Sequence, residues 1–178
     1  MSTEAPTTPR LKVILPRTIC ADKASGRKGM ITMIHFTGGN ISYAFQPEGM
    51  TAVTQKPHKV EWIDASRIGD AEPADVPAHV PLEAIGTEVF EANSGIRGTL
   101  VGLILWTTGC VHGFIQQPGA IKSGENEGNC FEDVEFDIRR LEGPALKKWS
   151  EEELKKDIKD KPSPGPFDRS GMFPNVKG

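Results

Sequence analysis

SGIRGTLVGLILWTTGCVHGFIQQP (residues 94–118) retells, part for part, SGRKGMITMIHFTGGNISYAFQP (residues 25–47). Each stretch opens on an SG-x-x-G turn, runs through an apolar segment, turns at glycine, and runs apolar again to a Gln and a Pro. Each is then followed by an Asp-x-x-Arg ending, Asp64-x-x-Arg67-Ile68 in the first and Asp137-x-x-Arg140-Leu141 in the second. Self-similarity at a spacing of about 70 residues marks a repeated supersecondary unit. The expectation is two copies of one small module, arising by duplication, and not a single enzyme domain with one dedicated cleft.

Within each copy the local signal is a β-hairpin. Apolar runs flank Thr37-Gly38-Gly39-Asn40 in one and Thr107-Thr108-Gly109 in the other. Gly or Asn supplies the positive φ that tight turns need. Val111, Gly113 and Ile115 alternate with His112, Phe114 and Gln116, so the first set is expected to face the module's core. Leu100 to Trp106 is apolar on both faces, the pattern of a strand covered on both sides. A module of ~60 residues buries only about 60% of its unfolded surface, so the two should share an interface or pack on another chain.

The organisation read from composition is an N-terminal arm over residues 1–10, β module one over 11–68, a Pro-rich linker over 69–81 and β module two over 82–142. A helix is expected over 143–161, its core starting near Glu151, with Ser150 and Glu153 forming a capping box. Residues 162–178 read as an extended C-terminal arm whose spaced Phe167, Met172 and Phe173 suit contact with a neighbour. The fold class is therefore mainly β: two tandem small β-barrel, SH3-like, or sandwich modules, with a C-terminal helix and terminal arms.

Charge and composition exclude several functions. Net charge is −3, and the Lys147–Lys161 cluster is interleaved with acids, so a nucleic-acid groove is disfavoured. The apolar run from Thr99 to Trp106 is far short of the ~20 residues that span a bilayer, and MSTEAPTTPR has no apolar signal region, so no membrane partner is expected. Cys20, Cys110 and Cys130 are too few and scattered for a disulfide framework and read as free thiols.

Four constellations carry possible chemistry. Cys110 and His112, with Cys130 and His35, contain zinc-ligand residue types but lack a second close pair, so neither metal nor any other cofactor is expected. The same Cys/His pair lacks what would activate a thiolate, and no catalytic residue is assigned. The SGRKG and SGIRG turns offer Arg27, Lys28 and Arg97 as possible anion-binding residues, although any β-turn contains such ingredients and no helix follows either one. The Asp-x-x-Arg endings read as a structural turn or salt bridge closing each module, with Trp62 and Phe136 as core plugs. His112 and Phe114 project away from the module core and are the expected partner contacts, together with Phe167, Met172 and Phe173.

The order of an SG-x-x-G turn, an aliphatic strand, Trp106-Thr107-Thr108-Gly109-Cys110-Val111, Gln117-Pro118 and Phe136-Asp137-x-x-Arg140-Leu141-Glu142 resembles a group of small phage and prophage proteins. Those read as a single module with an aromatic-x-Thr-Gly-Cys hairpin and a Phe-Asp-x-x-Arg-Leu ending. Module one is a decayed match, with Gly39-Asn40 in place of Gly-Cys and Trp62-Ile63-Asp64 in the ending. The resemblance covers about two thirds of the chain and implies a viral origin and an SH3-like barrel, and it transfers no catalytic residue. The expected function is a non-enzymatic phage structural or assembly protein, such as a capsid-decorating or head–tail component. Its partners would be other virion proteins or itself, and its place the virion, assembled in the host cytoplasm. The alternative is a soluble binding protein that sequesters a small anion or blocks a host factor, using SGRKG and SGIRG near the module interface.

Overall fold

The β-branched and aromatic runs form strands, and the glycine turns between them set the hairpins. A computed structural model describes residues 11–51, 54–119, 131–150 and 152–153, and the chain is mainly β. After β1 (Lys12–Val13) come β2 (Ile19–Asp22), β3 (Lys28–Thr37), β4 (Asn40–Pro47), β5 (Glu61–Asp64), a 3₁₀ turn at Ala65–Arg67 and β6 (Ile68–Gly69). β7 (Ala74–Asp75) and a 3₁₀ turn at Leu82–Ala84 then lead to β8 (Glu88–Glu91), β9 (Arg97–Trp106), β10 (Val111–Gln116), β11 (Val134–Asp137), a 3₁₀ turn at Ile138–Arg140 and β12 (Leu141–Glu142).

Strand pairing recurs element for element. In the first half β3 pairs with β2 and β4, β5 adds to β4, and β6 returns after its 3₁₀ turn to pair with β2. In the second half β9 pairs with β8 and β10, β11 adds to β10, and β12 returns to β8. Even the irregularity is repeated: the register shifts between Ile31 and Met33 against β4, and between Leu100 and Gly102 against β10. Gly39 and Gly109 both take positive φ in their hairpin turns, and Arg67 and Arg140 both end the 3₁₀ turn before the closing strand.

The halves join through β3 and β9, which pair antiparallel. Cys20 pairs with Gly29 and Val89 with Gly98, so β3 and β9 positions correspond at a spacing of 69 residues. Ile34 faces Leu105 and Phe36 faces Leu103, two pairs that exchange under that correspondence, while the pair His35–Ile104 maps onto itself. This is the residue-i-to-j, j-to-i relation of an isologous interface, here within one chain. A local two-fold axis therefore passes between His35 and Ile104, perpendicular to the sheet. The ten-stranded sheet so formed encloses one continuous core drawn from both halves, with Phe36, Phe45, Leu100, Leu103 and Ile115 fully or almost fully buried.

The stretch from Gly69 to Pro81, expected as a Pro-rich linker, is anchored to the rest of the structure. β7 pairs with β1, Lys12 bridges Asp75 at 2.8 Å, and Val80 is buried in the core. Its prolines forbid a central strand, yet they leave room for a two-residue edge pairing. The Ser150–Glu153 capping box is formed, with the Glu153 amide donating to the Ser150 hydroxyl at 3.2 Å and the Ser150 amide donating to the Glu153 carboxylate at 2.9 Å. Of the helix expected over 143–161, residues 143–150 form a turn and irregular backbone instead, Glu152 and Glu153 are helical, and the remainder lies outside the described residues, as do the arms at 1–10 and 162–178 and Cys130.

Candidate partner-binding face

Period-2 alternation decides what the joined sheet shows to solvent. Ile34 and Phe36 of β3, Leu103 and Leu105 of β9, Tyr43 and Phe45 of β4, and Val111 and Ile115 of β10 turn inward. The intervening residues Met33, His35, Ile104, Trp106, His112 and Phe114 are left on the opposite face. Ring contacts tie this face together across the two halves: His35 lies edge-on to Trp62 of β5 at 5.9 Å and to Phe114 at 5.4 Å, and Trp106 lies 5.7 Å from His112. The face is thus an aromatic and imidazole band centred on the local two-fold axis.

His112 and Phe114 stand where their alternation placed them, away from the core. Trp62 corrects its expected role as a core plug: it is 50% exposed, because Ile63 takes the inward position in β5 opposite Tyr43. Phe136 does pack on the core, with Arg140 over its ring at 5.3 Å. A shallow cavity of about 400 Å³ by the glycine turn at residues 38–39 is lined by Leu11, Phe36, Ile41, Leu82 and Ile85, and a second of about 350 Å³ opens on the aromatic face between His35, Thr37, Val101, Gly102, Phe114 and Asp133. Gly102 makes the latter's floor, since a Cβ there would stand 2.9 Å from the Phe36 carbonyl and 3.0 Å from His35 Nε2.

The electrostatics of this face are mixed. Burial pushes the His35 imidazole below its ordinary range, so it is neutral at pH 7. His112 Nδ1 lies 2.6 Å from Glu135 Oε1. Burial raises the Asp137 carboxyl, but hydrogen bonds from the Arg139 side chain and amide outweigh it, and the net shift is downward. Asp64, Asp133 and Glu135 form an exposed or part-exposed acidic rim. The Trp106 indole N–H is buried and without an acceptor among the described residues.

The SG-x-x-G turns are spoken for internally. Asp22 and Glu91, both fully buried, end the equivalent strands β2 and β8. The Ala24 and Ser25 amides and the Ser25 hydroxyl donate to Asp22, and the Ser94 amide donates to Glu91 at 2.6 Å. Arg67 makes a forked pair with Asp22 at 2.9 and 2.7 Å, and Arg140 reaches Glu91 at 3.0 Å. The Asp-x-x-Arg arginines thus close each half, as a salt bridge was expected to do, but their acid is the buried one on the first strand and not the Asp of the motif. Hydrogen bonds from Arg67, then from Ser25, hold Asp22 well below the carboxylate range; for Glu91 burial acts upward, yet bonds from Ser94 and Arg140 bring it to about 2. Sequence reading missed both acids. The signal was a single Asp or Glu three residues before each SG.

Of the possible anion-binding residues, Arg27 pairs with Glu61 at 2.5 Å, Arg97 lies 4.5 Å over the Phe90 ring, and Lys28 is exposed at the start of β3. Because β3 and β9 pair antiparallel through their C-terminal halves, about His35 and Ile104, Lys28 and Arg97 sit at opposite ends of the pair, seven residues either side of the axis and so up to about 45 Å apart at ~3.3 Å per residue. They do not converge at the interface between the halves. Cys20 is buried and Cys110 half-buried, both free, and no three metal-ligand side chains converge among the described residues. No protein family, curated protein or solved structure matches the chain.

Proposed function

We propose that the chain is a non-enzymatic assembly protein of phage origin, built as two fused SH3-like barrels, that binds other virion subunits through the aromatic face. What carries the reading is the continuity of that face across both halves. Trp62, Met33, His35, Trp106, His112 and Phe114 form one apolar band over a junction that buries its own core on the other side. Within the band Trp62 is exposed and the other five residues are half-buried; an apolar patch rimmed by polar groups is a surface by which proteins meet partners, and aromatic residues are enriched in such interfaces. The return of β6 to β2 and of β12 to β8 after a 3₁₀ turn supports the SH3-like description of each half.

The chemistry of the face supports binding over catalysis. His112 is paired with Glu135, His35 lies edge-on to the Trp62 and Phe114 rings, and among the described residues neither imidazole makes a hydrogen bond to a hydroxyl or thiol. The anion-sequestering alternative gains nothing from the turns, whose amides already serve Asp22 and Glu91. The test is co-sedimentation of the purified chain with phage particles assembled in its absence. Saturable binding that is lost in Trp62→Ser and Phe114→Ser, with the circular dichroism spectrum unchanged, supports the reading. Binding by both variants as tight as wild type overturns it.

A further inference from the structure

We infer that the occupant of the aromatic face is the segment 162–178 of a neighbouring copy of this chain. The inference rests on the reading of that face as an assembly surface, and it names what lies there.

Three observations point to this segment. The first is composition: Phe167 and Phe173 are six residues apart, an even spacing that lets both enter an apolar band from one side of an extended segment, and Met172 adds a further large apolar side chain beside Phe173. The second is charge. Segment 162–178 carries two cations, Arg169 and Lys177, against one acid, Asp168, while the rim of the face carries Asp64, Asp133 and Glu135. A net-positive segment bearing aromatic residues thus meets an acid-rimmed aromatic surface, and complementarity of this sort sets partner choice and register. The third is reach. With the helix expected to Lys161 at ~1.5 Å per residue and the six residues from Lys161 to Phe167 at ~3.3 Å per residue, the chain reaches about 30 Å beyond Glu153, close to the width of about 30–40 Å of a folded chain of this size.

The donor of the segment is a neighbour because a subunit whose own arm covered the face would have none left for assembly. Two aromatic anchors in such a band are worth roughly one to two decades of affinity each.

The experiment uses the full chain with Phe173→p-benzoylphenylalanine at natural isotope abundance, mixed with a ¹⁵N-labelled wild-type chain and irradiated. The expected result is cross-linked peptides joining a light arm to a heavy face segment containing Met33 or Phe114. Cross-links confined to one chain, or to segments away from the face, overturn the inference. In parallel, sedimentation equilibrium of the full-length triple variant F167A/M172A/F173A should show self-association weakened at least 10-fold, and a variant that self-associates like wild type is equally fatal to it. The two proposals fail separately. If the arm variant self-associates normally while Trp62→Ser still abolishes particle binding, the face is an assembly surface with a different occupant. If Trp62→Ser changes neither measurement, the assembly reading fails as well.

Discussion

Gly98→Ala should be among the most damaging single-methyl changes in the chain. Gly98 lies in β9 with ordinary extended backbone, so the argument is space and not conformation. A Cβ at this position would stand 2.2 Å from the Gln116 carbonyl oxygen, 2.8 Å from its carbon and 2.8 Å from Ile115 Cγ2. Two of those three atoms are backbone of the paired strand, which cannot swing aside as the end of a flexible side chain would. β10 must move away from β9, next to Leu100 and Ile115, both fully buried. Overpacking of a tight site costs about 1–3 kcal/mol, and a backbone collision belongs at the upper end. For a chain of this size each kcal/mol lowers Tm by about 2–4 °C, so a fall of about 6–12 °C is expected.

Differential scanning calorimetry of wild type, Gly98→Ala, Gly29→Ala and Gly38→Ala makes the comparison internal. Gly29 is the equivalent residue of the first half, and its Cβ would meet the Gln46 carbonyl oxygen at 2.4 Å and the Phe45 ring at 2.5 Å, so it should lose a similar amount. Gly38 has nothing within 4 Å and should shift Tm by no more than about 2 °C. A Gly98→Ala protein melting within 2 °C of wild type would refute the reasoning about the close approach. Loss in one half alone would refute the equivalence of the two sites.

Acid should attack both halves through the buried carboxylates. Asp22 and Glu91 sit below their ordinary range when folded, so the stability they contribute is complete above about pH 4.5. It is lost as pH falls toward 2, where Glu91 finally takes up its proton. Melting followed by circular dichroism from pH 7 to 2 should show a falling Tm in that window, and a flat profile to pH 2.5 contradicts the role given to these acids. Arg140→Gln should move the acid transition to higher pH, since Glu91 loses a partner that favours its charge. Burial, with Asp22 acting in the same direction, raises the Cys20 thiol pKa, so peptide mapping after a thiol reagent at pH 7 should show Cys110 modified well before Cys20; the reverse order contradicts the burial assignment. Trp106→Phe removes a buried N–H that has no acceptor among the described residues, a group that costs about 1–3 kcal/mol, and this offsets the lost ring area. Its Tm should lie within about 3 °C of wild type, and a loss above 8 °C would mean that the indole N–H has an acceptor after all.

Much of the strand scaffold was legible because its causes are local. The glycine turns at Gly39 and Gly109, the inward set Val111, Gly113 and Ile115, and the capping box at Ser150 and Glu153 depend on residues close in sequence. Pairings across the chain were not legible. Nothing near Asp-x-x-Arg says that Arg67 will ignore Asp64 and reach back 45 residues to Asp22, because that choice is made by β6 returning to β2. Trp62 was misplaced for a related reason: whether a tryptophan plugs a core or faces solvent depends on the register of β5 against β4, and a one-residue slip reverses it. The same limit hid the face itself. His35 and Phe114 are separated by nearly 80 residues and meet only because β3 and β9 are joined.

That joining explains why Leu100 to Trp106 is apolar on both faces. One face lines the core, as Leu103 and Leu105 do. The other carries Ile104 and Trp106, next to Met33 and His35 of the first half, and Ile104 is 7% exposed even with no partner present. An edge strand with so apolar an outer surface is an aggregation hazard when it is unpaired. In this chain the hazard is removed by pairing it with its own duplicate, and the two-fold register shows how: every β3–β9 pair is matched by its exchange partner. A single module bearing such a strand would have to satisfy the edge with a second copy of itself. Tandem fusion makes that pairing intramolecular, so it no longer depends on protein concentration. The edge is thereby consumed within the chain.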